Sequence, residues 1–240
     1  MSATTNTAIP SKGHKGPGME GFIASWYARQ TAKDMDRFKE TAQRVAAHVG
    51  PRSCVLEIAP GPGYLSIELA KLTGCRMVGV DISRTFVRIA NENARKAGVD
   101  IAFDHGDAAD LPLPANGFDF VVCTAAFKNF SRPLAALDEM HRVLKPGGTA
   151  LVIDLRKDFS PQAIRDYTTG KGLINGTIIK WTFNAMLKKR AYTVDAIEQL
   201  ASQSQFGHGD VRLDVIAFEL WLRKPELEGG ASHRQPRAGA

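Results

Sequence analysis

Apolar and polar positions alternate in two distinct rhythms along this chain. Near the start, apolar residues recur at Phe22, Ile23, Trp26 and Tyr27, then at Met35, Phe38, Ala42, Val45 and Ala46. That spacing is close to 3.6 and predicts helix from about Glu20 to Val49, stopped by Gly50-Pro51. The rhythm then changes. Mostly apolar runs without alternation appear at Cys54–Ala59, Arg76–Asp81, Ile101–His105, Asp119–Thr124 and Thr149–Leu155. Amphipathic stretches separate them, at Gly63–Leu72, from Ser83 as N-cap to Ala97 with Gly98 as stop, and at Arg132–Leu144. Apolar strands without alternation, separated by helices, predict a parallel sheet covered on both faces. The fold class is therefore α/β, with a Rossmann-like, doubly wound, mostly parallel seven-stranded sheet. Two last strand-like runs, Val211–Val215 and Ala217–Arg223, have almost nothing between them. No crossover fits there, so they form an antiparallel C-terminal hairpin.

The same patterning divides the chain. Residues 1–18 are polar and read as a flexible arm, and residues 227–240 read as a disordered tail. Residues 19–226 form one domain, with a helical N-terminal cap at 19–50 and a cofactor-binding core at 51–155. A mainly helical insertion at 156–209 precedes strand 6 and serves as a substrate lid, and the terminal hairpin occupies 210–224.

Composition excludes several classes. The chain has 240 residues, 44% of them hydrophobic, enough for one sizeable core. No apolar run approaches the roughly 20 residues that span a bilayer, and no secretory leader pattern opens the sequence, so a cytoplasmic protein without membrane insertion is expected. Three cysteines, Cys54, Cys75 and Cys123, lie in or beside apolar runs and read as buried reduced thiols. No Cys/His cluster has metal-ligand spacing, so no metal is expected. The net charge of +6 is weak evidence for a nucleic-acid partner by itself.

The chemistry gathers at the strand ends. Ala59-Pro60-Gly61-Pro62-Gly63 breaks the first strand and restarts at once as a helix. In doubly wound sheets the ligand crevice lies beyond the carboxyl ends of the strands, where strand order reverses. Gly61 and Gly63 permit close approach to the backbone, and the following helix start offers free N–H groups. Glu57 lies in the first strand, Asp81 ends the second and Asp107 ends the third, in His105-Gly106-Asp107-Ala108. Acids at consecutive parallel strand tips converge on one crevice. One carboxylate suits vicinal ribose hydroxyls, and another can accept from an adenine amine. This makes an adenosine site without a phosphate clamp. The dinucleotide fingerprint asks for Gly-x-Gly-x-x-Gly or Ala, but here Ser66 holds the third small position.

With VLEIAPGPG, VGVDIS, GDAADLPLPANGFDFVVC and LKPGGTALVIDLR in that order, residues Cys54 to Leu155 resemble the class I S-adenosylmethionine-dependent methyltransferases. Within that class they are similar to the small-molecule group of ubiquinone/menaquinone biosynthesis enzymes. Ala59 stands where the family usually has its first glycine. The resemblance implies S-adenosyl-L-methionine as cofactor and S-adenosyl-L-homocysteine as product. It implies that Glu57 orients the turn and contacts the methionine amine, and that Ala59, Gly61 and Gly63 line the methionine and ribose. Asp81 would bind the ribose, with Ile82 against adenine. Asp107 would accept from the adenine amine, and the Ala108 N–H would meet the ring. Thr124 and Ala125 would face the methyl group. Tyr27 on the cap is a candidate contact to the cofactor carboxylate or substrate, or a core aromatic.

The catalytic residues are not legible. Lys128, Asn129 and Asp154, past the fourth and fifth strands, are the candidates for a general base. The run Thr124-Ala125-Ala126-Phe127 lacks the Asn/Asp-Pro-Pro-Tyr of nucleobase amino-methylating enzymes. The insertion from Arg156 to Gly207 carries eight basic residues against four acids, with apolar Ile174, Ile178, Ile179, Trp181, Phe183, Met186 and Leu187. The expected function is methyl transfer to a small-molecule acceptor by in-line displacement, in a monomer or homodimer. The alternatives are an RNA or protein methyltransferase using the basic insertion, and a non-catalytic nucleotide-cofactor-binding protein.

Overall fold

In the computed structural model the described residues are Gly13, Lys15, 19–160, 162 and 190–226. Seven strands form one sheet: β1 (Cys54–Ile58), β2 (Arg76–Asp81), β3 (Ile101–His105), β4 (Phe118–Thr124), β5 (Leu144–Leu155), β6 (Asp210–Leu213) and β7 (Ala217–Arg223). Their order is β3-β2-β1-β4-β5-β7-β6. Strands β1 to β5 run parallel, while β7 pairs antiparallel with both β5 and β6. Strand order therefore reverses between β1 and β4, which places the crevice over those two tips.

Alternate residues of the central strands enter different cores. Leu56, Ile58, Val121 and Cys123 pack toward helix α5 (Pro133–Val143) and helix α6 (Val194–Gln203). Val55, Phe120 and Val122 pack toward α2 (Met35–Ala46), α3 (Tyr64–Thr73) and α4 (Arg84–Ala97). Both faces are covered, which is why these strands read as continuous apolar runs rather than alternating ones.

Three expectations are corrected. The long N-terminal helix is two helices, α1 (Gly21–Thr31) and α2, broken at residues 32–34. Strand β5 begins at Leu144, well before Thr149. A register irregularity between Phe118 and Phe120 accommodates the Pro146-Gly147-Gly148 stretch that suggested a break. Strand β6 ends at Leu213, short of Val215. Of the expected lid, α6 is described, whereas the apolar series Ile174 to Leu187 lies outside the described residues.

Helix ends follow local chemistry. Ser83 caps α4 by accepting from the Phe86 N–H at 3.1 Å, and Thr193 caps α6 by accepting from the Ala196 N–H at 3.2 Å. Gly98 closes α4 in the left-handed conformation. Glu20, before α1, reaches across to the start of α4. Its carboxylate accepts from the Arg84 N–H at 2.9 Å, the Thr85 N–H at 3.1 Å and the Thr85 hydroxyl at 2.6 Å. This contact fastens the N-terminal cap beside the β2 tip, and its hydrogen bonds hold the Glu20 carboxyl below its ordinary range against the opposing cost of burial.

Candidate cofactor site

The turn after β1 is built around an unusual backbone. Ala59 has φ 56°, Gly61 φ 55° and Gly63 φ 79°, so three of five residues are left-handed. For alanine that conformation costs on the order of 1 kcal/mol, and surrounding bonds must hold it. The Ala59 N–H donates to the Val80 carbonyl at 2.8 Å, and the Gly61 N–H donates to Asp81 Oδ2 at 3.0 Å. Asp81 Oδ1 accepts from the Ser83 N–H at 2.8 Å. Asp81 thus ties the β1 turn to the β2 tip while keeping lone pairs on both oxygens. Burial raises its pKa, against the lowering effect of those two N–H groups.

The two glycines do different work. A methyl group on Gly61 would meet nothing within 4 Å, so the space above it is open. One on Gly63 would lie 2.8 Å from the Phe103 ring and 3.1 Å from Ala90. Gly63 is required by packing and by the start of α3, whereas Gly61 faces room for a ligand.

Glu57 is buried at 2% exposure, and its Oε2 accepts from the Ser66 hydroxyl at 2.5 Å. Burial pushes its pKa up to about 7, opposed by the Ser66 bonds and reinforced by the nearby Asp81 charge. At the far side, Ile82 is 36% exposed and offers a flat apolar platform. Asp107 Oδ1 accepts from the Ala109 N–H at 2.9 Å, and its Oδ2 pairs with Arg132 at 2.9 Å. The structure thus brings Glu57, Gly61, Asp81, Ile82 and Asp107 along the tips of three adjacent strands. Ala108 packs against the core beside them.

Tyr27 packs edge-on against Phe86 at 5.9 Å, on the seam between α1 and α4. On the other side of the reversal, Thr124 ends β4 and Ala125 is left-handed at φ 57°. Lys128 and Asp154 form a buried ion pair at 2.8 Å, each engaged by the other. Asn129 accepts from Arg190 at 3.3 Å through Oδ1.

Several contributors escaped sequence reasoning. Arm residue Gly13 sits against Asp107 and Ile82: a methyl group there would be 2.5 Å from Asp107 Oδ2 and 2.6 Å from the Ile82 side chain. Lys15 donates through its backbone to the Asn129 carbonyl at 2.7 Å and through Nζ to the Tyr192 hydroxyl at 3.1 Å. The arm, expected to be flexible throughout, therefore touches the site at these two described residues. Ser131 Oγ, next to Arg132, is buried with no hydrogen-bond partner among the described residues. Nothing in the local sequence marks these contacts, because they join segments far apart in the chain.

The residues fit an adenosyl cofactor. Open space stands over Gly61, paired carboxylate lone pairs stand at Asp81, and the apolar platform of Ile82 stands next to Asp107. Among the described residues no group of three His, Cys, Asp or Glu is placed to hold a metal ion. No helix among them is long and apolar enough to cross a membrane.

A family described as "Methyltransferase domain" matches residues 55–148. Demethylmenaquinone methyltransferase of Deinococcus radiodurans is 32% identical over 162 residues, covering 64% of this chain and 67% of that protein. Its counterpart in Thermus thermophilus is 34% identical over 119 residues, covering 49% and 54%. The 2-phytyl-1,4-naphtoquinone methyltransferase of Synechococcus elongatus is 34% identical over 120 residues, covering 48% and 51%. The chain thus spans about half the length of most of these relatives. A structure from Methanococcus maripaludis, assigned to the S-adenosylmethionine-dependent methyltransferases, shares the fold with a TM-score of 0.71 at 18% identity, covering 89% of this chain and 97% of its own. With 32% identity across two thirds of the Deinococcus protein, and with the matched domain spanning the tips of β1 to β4, the chain belongs to the S-adenosylmethionine-dependent methyltransferases of the ubiquinone/menaquinone type.

Proposed function

We propose that this protein transfers a methyl group from S-adenosylmethionine to a small-molecule acceptor of the quinone class. The observation that carries the cofactor half is the row of acids Glu57, Asp81 and Asp107 on three adjacent strand tips, with open space over Gly61. The acceptor class rests on the relatives, whose names specify demethylmenaquinone and 2-phytyl-1,4-naphtoquinone.

Bound S-adenosylmethionine supplies an activated methyl on a sulfonium, so the hard chemistry comes with it. The chain's residues bind and orient. Asp81 accepts from the ribose hydroxyls while holding the Gly61 and Ser83 N–H groups. Ile82 packs on adenine, Asp107 accepts from its amine, and the Ala108 N–H meets the ring. Glu57 turns toward the methionine ammonium. That positive charge favours ionised Glu57, so binding below about pH 7 releases a proton from this residue. Ala59 and Gly63 shape the methionine and ribose wall, and Thr124 and Ala125 form the methyl-side wall. Tyr27 closes the cap side.

Transfer is an in-line displacement whose rate depends on alignment and on water exclusion. We read the protein as a cytoplasmic monomer or homodimer. Its three cysteines are free, with burial raising the Cys75 and Cys123 thiols, which suits a reducing compartment.

The test is transfer of labelled methyl from S-adenosylmethionine to a demethylated naphthoquinol, with bulk tRNA and protein as parallel acceptors. Label in the naphthoquinol supports the reading. Label only in RNA or protein moves the acceptor to a macromolecule, and no label in any acceptor leaves cofactor binding without transfer.

A further inference from the structure

We infer that the buried Lys128–Asp154 pair is a positioning device that holds the turn after β4 in the shape the cofactor's methyl end requires. The inference rests on the cofactor reading above and assigns these residues a role other than proton transfer.

Lys128 and Asp154 are each only 3% exposed. Asp154 Oδ1 accepts from Lys128 Nζ at 2.8 Å and from the Leu155 N–H at 2.7 Å, and its Oδ2 accepts from the Lys128 N–H at 2.8 Å. One carboxylate therefore grips both ends of one lysine. The lysine then reaches back, with Nζ donating to the Ala125 carbonyl at 2.5 Å. Between them, the two side chains close a ring around Ala125-Ala126-Phe127-Lys128, at the tips of β4 and β5.

The held residue is strained. Ala125 has φ 57°, and its N–H donates to the Ile153 carbonyl at 2.7 Å. Among the described residues only three non-glycines have positive φ: Ala59, Asn116 and Ala125. Asparagine tolerates that conformation, whereas alanine does not. The two strained alanines directly follow β1 and β4, the strands on either side of the order reversal. Backbone strain of this kind persists only where the surroundings over-determine it, and it gathers at ligand sites.

An ion pair is a poor choice for stability alone. An apolar pair of similar volume fills such a site as well or better, because two charges need not be desolvated. What apolar side chains cannot do is aim a carbonyl. A buried ammonium fixed by a carboxylate can, since it donates along a set direction in a low-dielectric setting. The pair therefore accounts for the left-handed Ala125, and through it for the wall facing the methyl group.

The experiment compares S-adenosylhomocysteine affinity by calorimetry and unfolding temperature in three proteins: wild type, K128M/D154L, and K128M/D154L/A125G. Removing both charges together leaves no unpaired ion. With the turn released, the double variant should bind S-adenosylhomocysteine about tenfold more weakly at an unfolding temperature close to wild type. Glycine adopts positive φ without cost, so adding Ala125→Gly should recover at least about threefold of that loss. A purely structural role would not produce that recovery. Wild-type affinity in the double variant overturns the inference, and so does a loss that Ala125→Gly leaves unchanged. Should the double variant not fold, Asp154→Asn, with and without Ala125→Gly, replaces it under the same outcomes. No binding by the wild type would instead remove the cofactor reading, and this inference with it.

Discussion

The two halves of the crevice are built differently. The half proposed for the cofactor, over β1, β2 and β3, is made mainly by residues close to one another in sequence or on neighbouring strands, with Gly13 and Arg132 joining at Asp107 from other segments. Asp81 holds Gly61 and Ser83, Glu57 holds Ser66, and Asp107 holds Ala109. The half proposed for the acceptor, over β4 and β5, is made by contacts between segments farther apart in the chain. Lys15 meets Tyr192, Asn129 meets Arg190, and Lys128 meets Asp154. A half made of strand tips and tight turns keeps a common cofactor in place. On the proposed reading, the half assembled from an arm, two strand ends and an insertion is the one that faces the acceptor, and the arm touches both halves.

The sharpest way to test this division is Glu57. Its pKa in the fold, about 7, exceeds the ordinary 4.5, so the native state favours the neutral acid. Its contribution to stability is complete below about pH 4.5 and is lost as pH rises through about 7, a change of about 3 kcal/mol. The difference between wild-type and Glu57→Gln unfolding free energies, measured by denaturant from pH 4 to 8, should show that slope. A flat difference would mean that Glu57 titrates normally and that the cofactor half is not desolvated.

Next in size is Asp81. Replacing it by Ala removes the ribose acceptor and the bond to the Gly61 N–H, and S-adenosylhomocysteine affinity should fall about 100-fold. Thermal unfolding of the same variant separates lost binding from lost folding. The paired glycines come third. Gly63→Ala drives a methyl group into Phe103 and strains a left-handed residue, costing about 2 kcal/mol, or about 4–8 °C in unfolding temperature. Gly61→Ala strains the backbone without a clash, so its stability loss should be the smaller, by about half. The smallest effect is expected from Arg132→Ala. Its pair with Asp107 is partly exposed, and cofactor affinity should move by no more than about twofold in calorimetry.

This contrast also explains what could be read from the sequence. The sheet, its reversal and the terminal hairpin were legible because apolar runs, caps and the lack of room for a crossover are local signals. The convergence of Glu57, Gly61, Asp81 and Asp107 along adjacent strand tips was legible too, since an acid at the end of a parallel strand faces the crevice; their contacts to a cofactor belong to the proposal above. The α1–α2 break was hidden because the apolar period continues through residues 32–34. The pairing of Lys128 with Asp154 was hidden because 26 residues of chain separate them. Each therefore read as a lone candidate base. The seats of Gly13 and Lys15 were hidden because a polar, glycine-containing arm has no pattern that names its partner.

The most direct measurement is a calorimetric titration of the full chain with S-adenosylhomocysteine and, separately, with NAD, for wild type and Asp81→Ala. The account requires saturable binding of S-adenosylhomocysteine that Asp81→Ala abolishes or severely weakens, with no comparable binding of NAD. Saturable NAD binding with no heat from S-adenosylhomocysteine would contradict it.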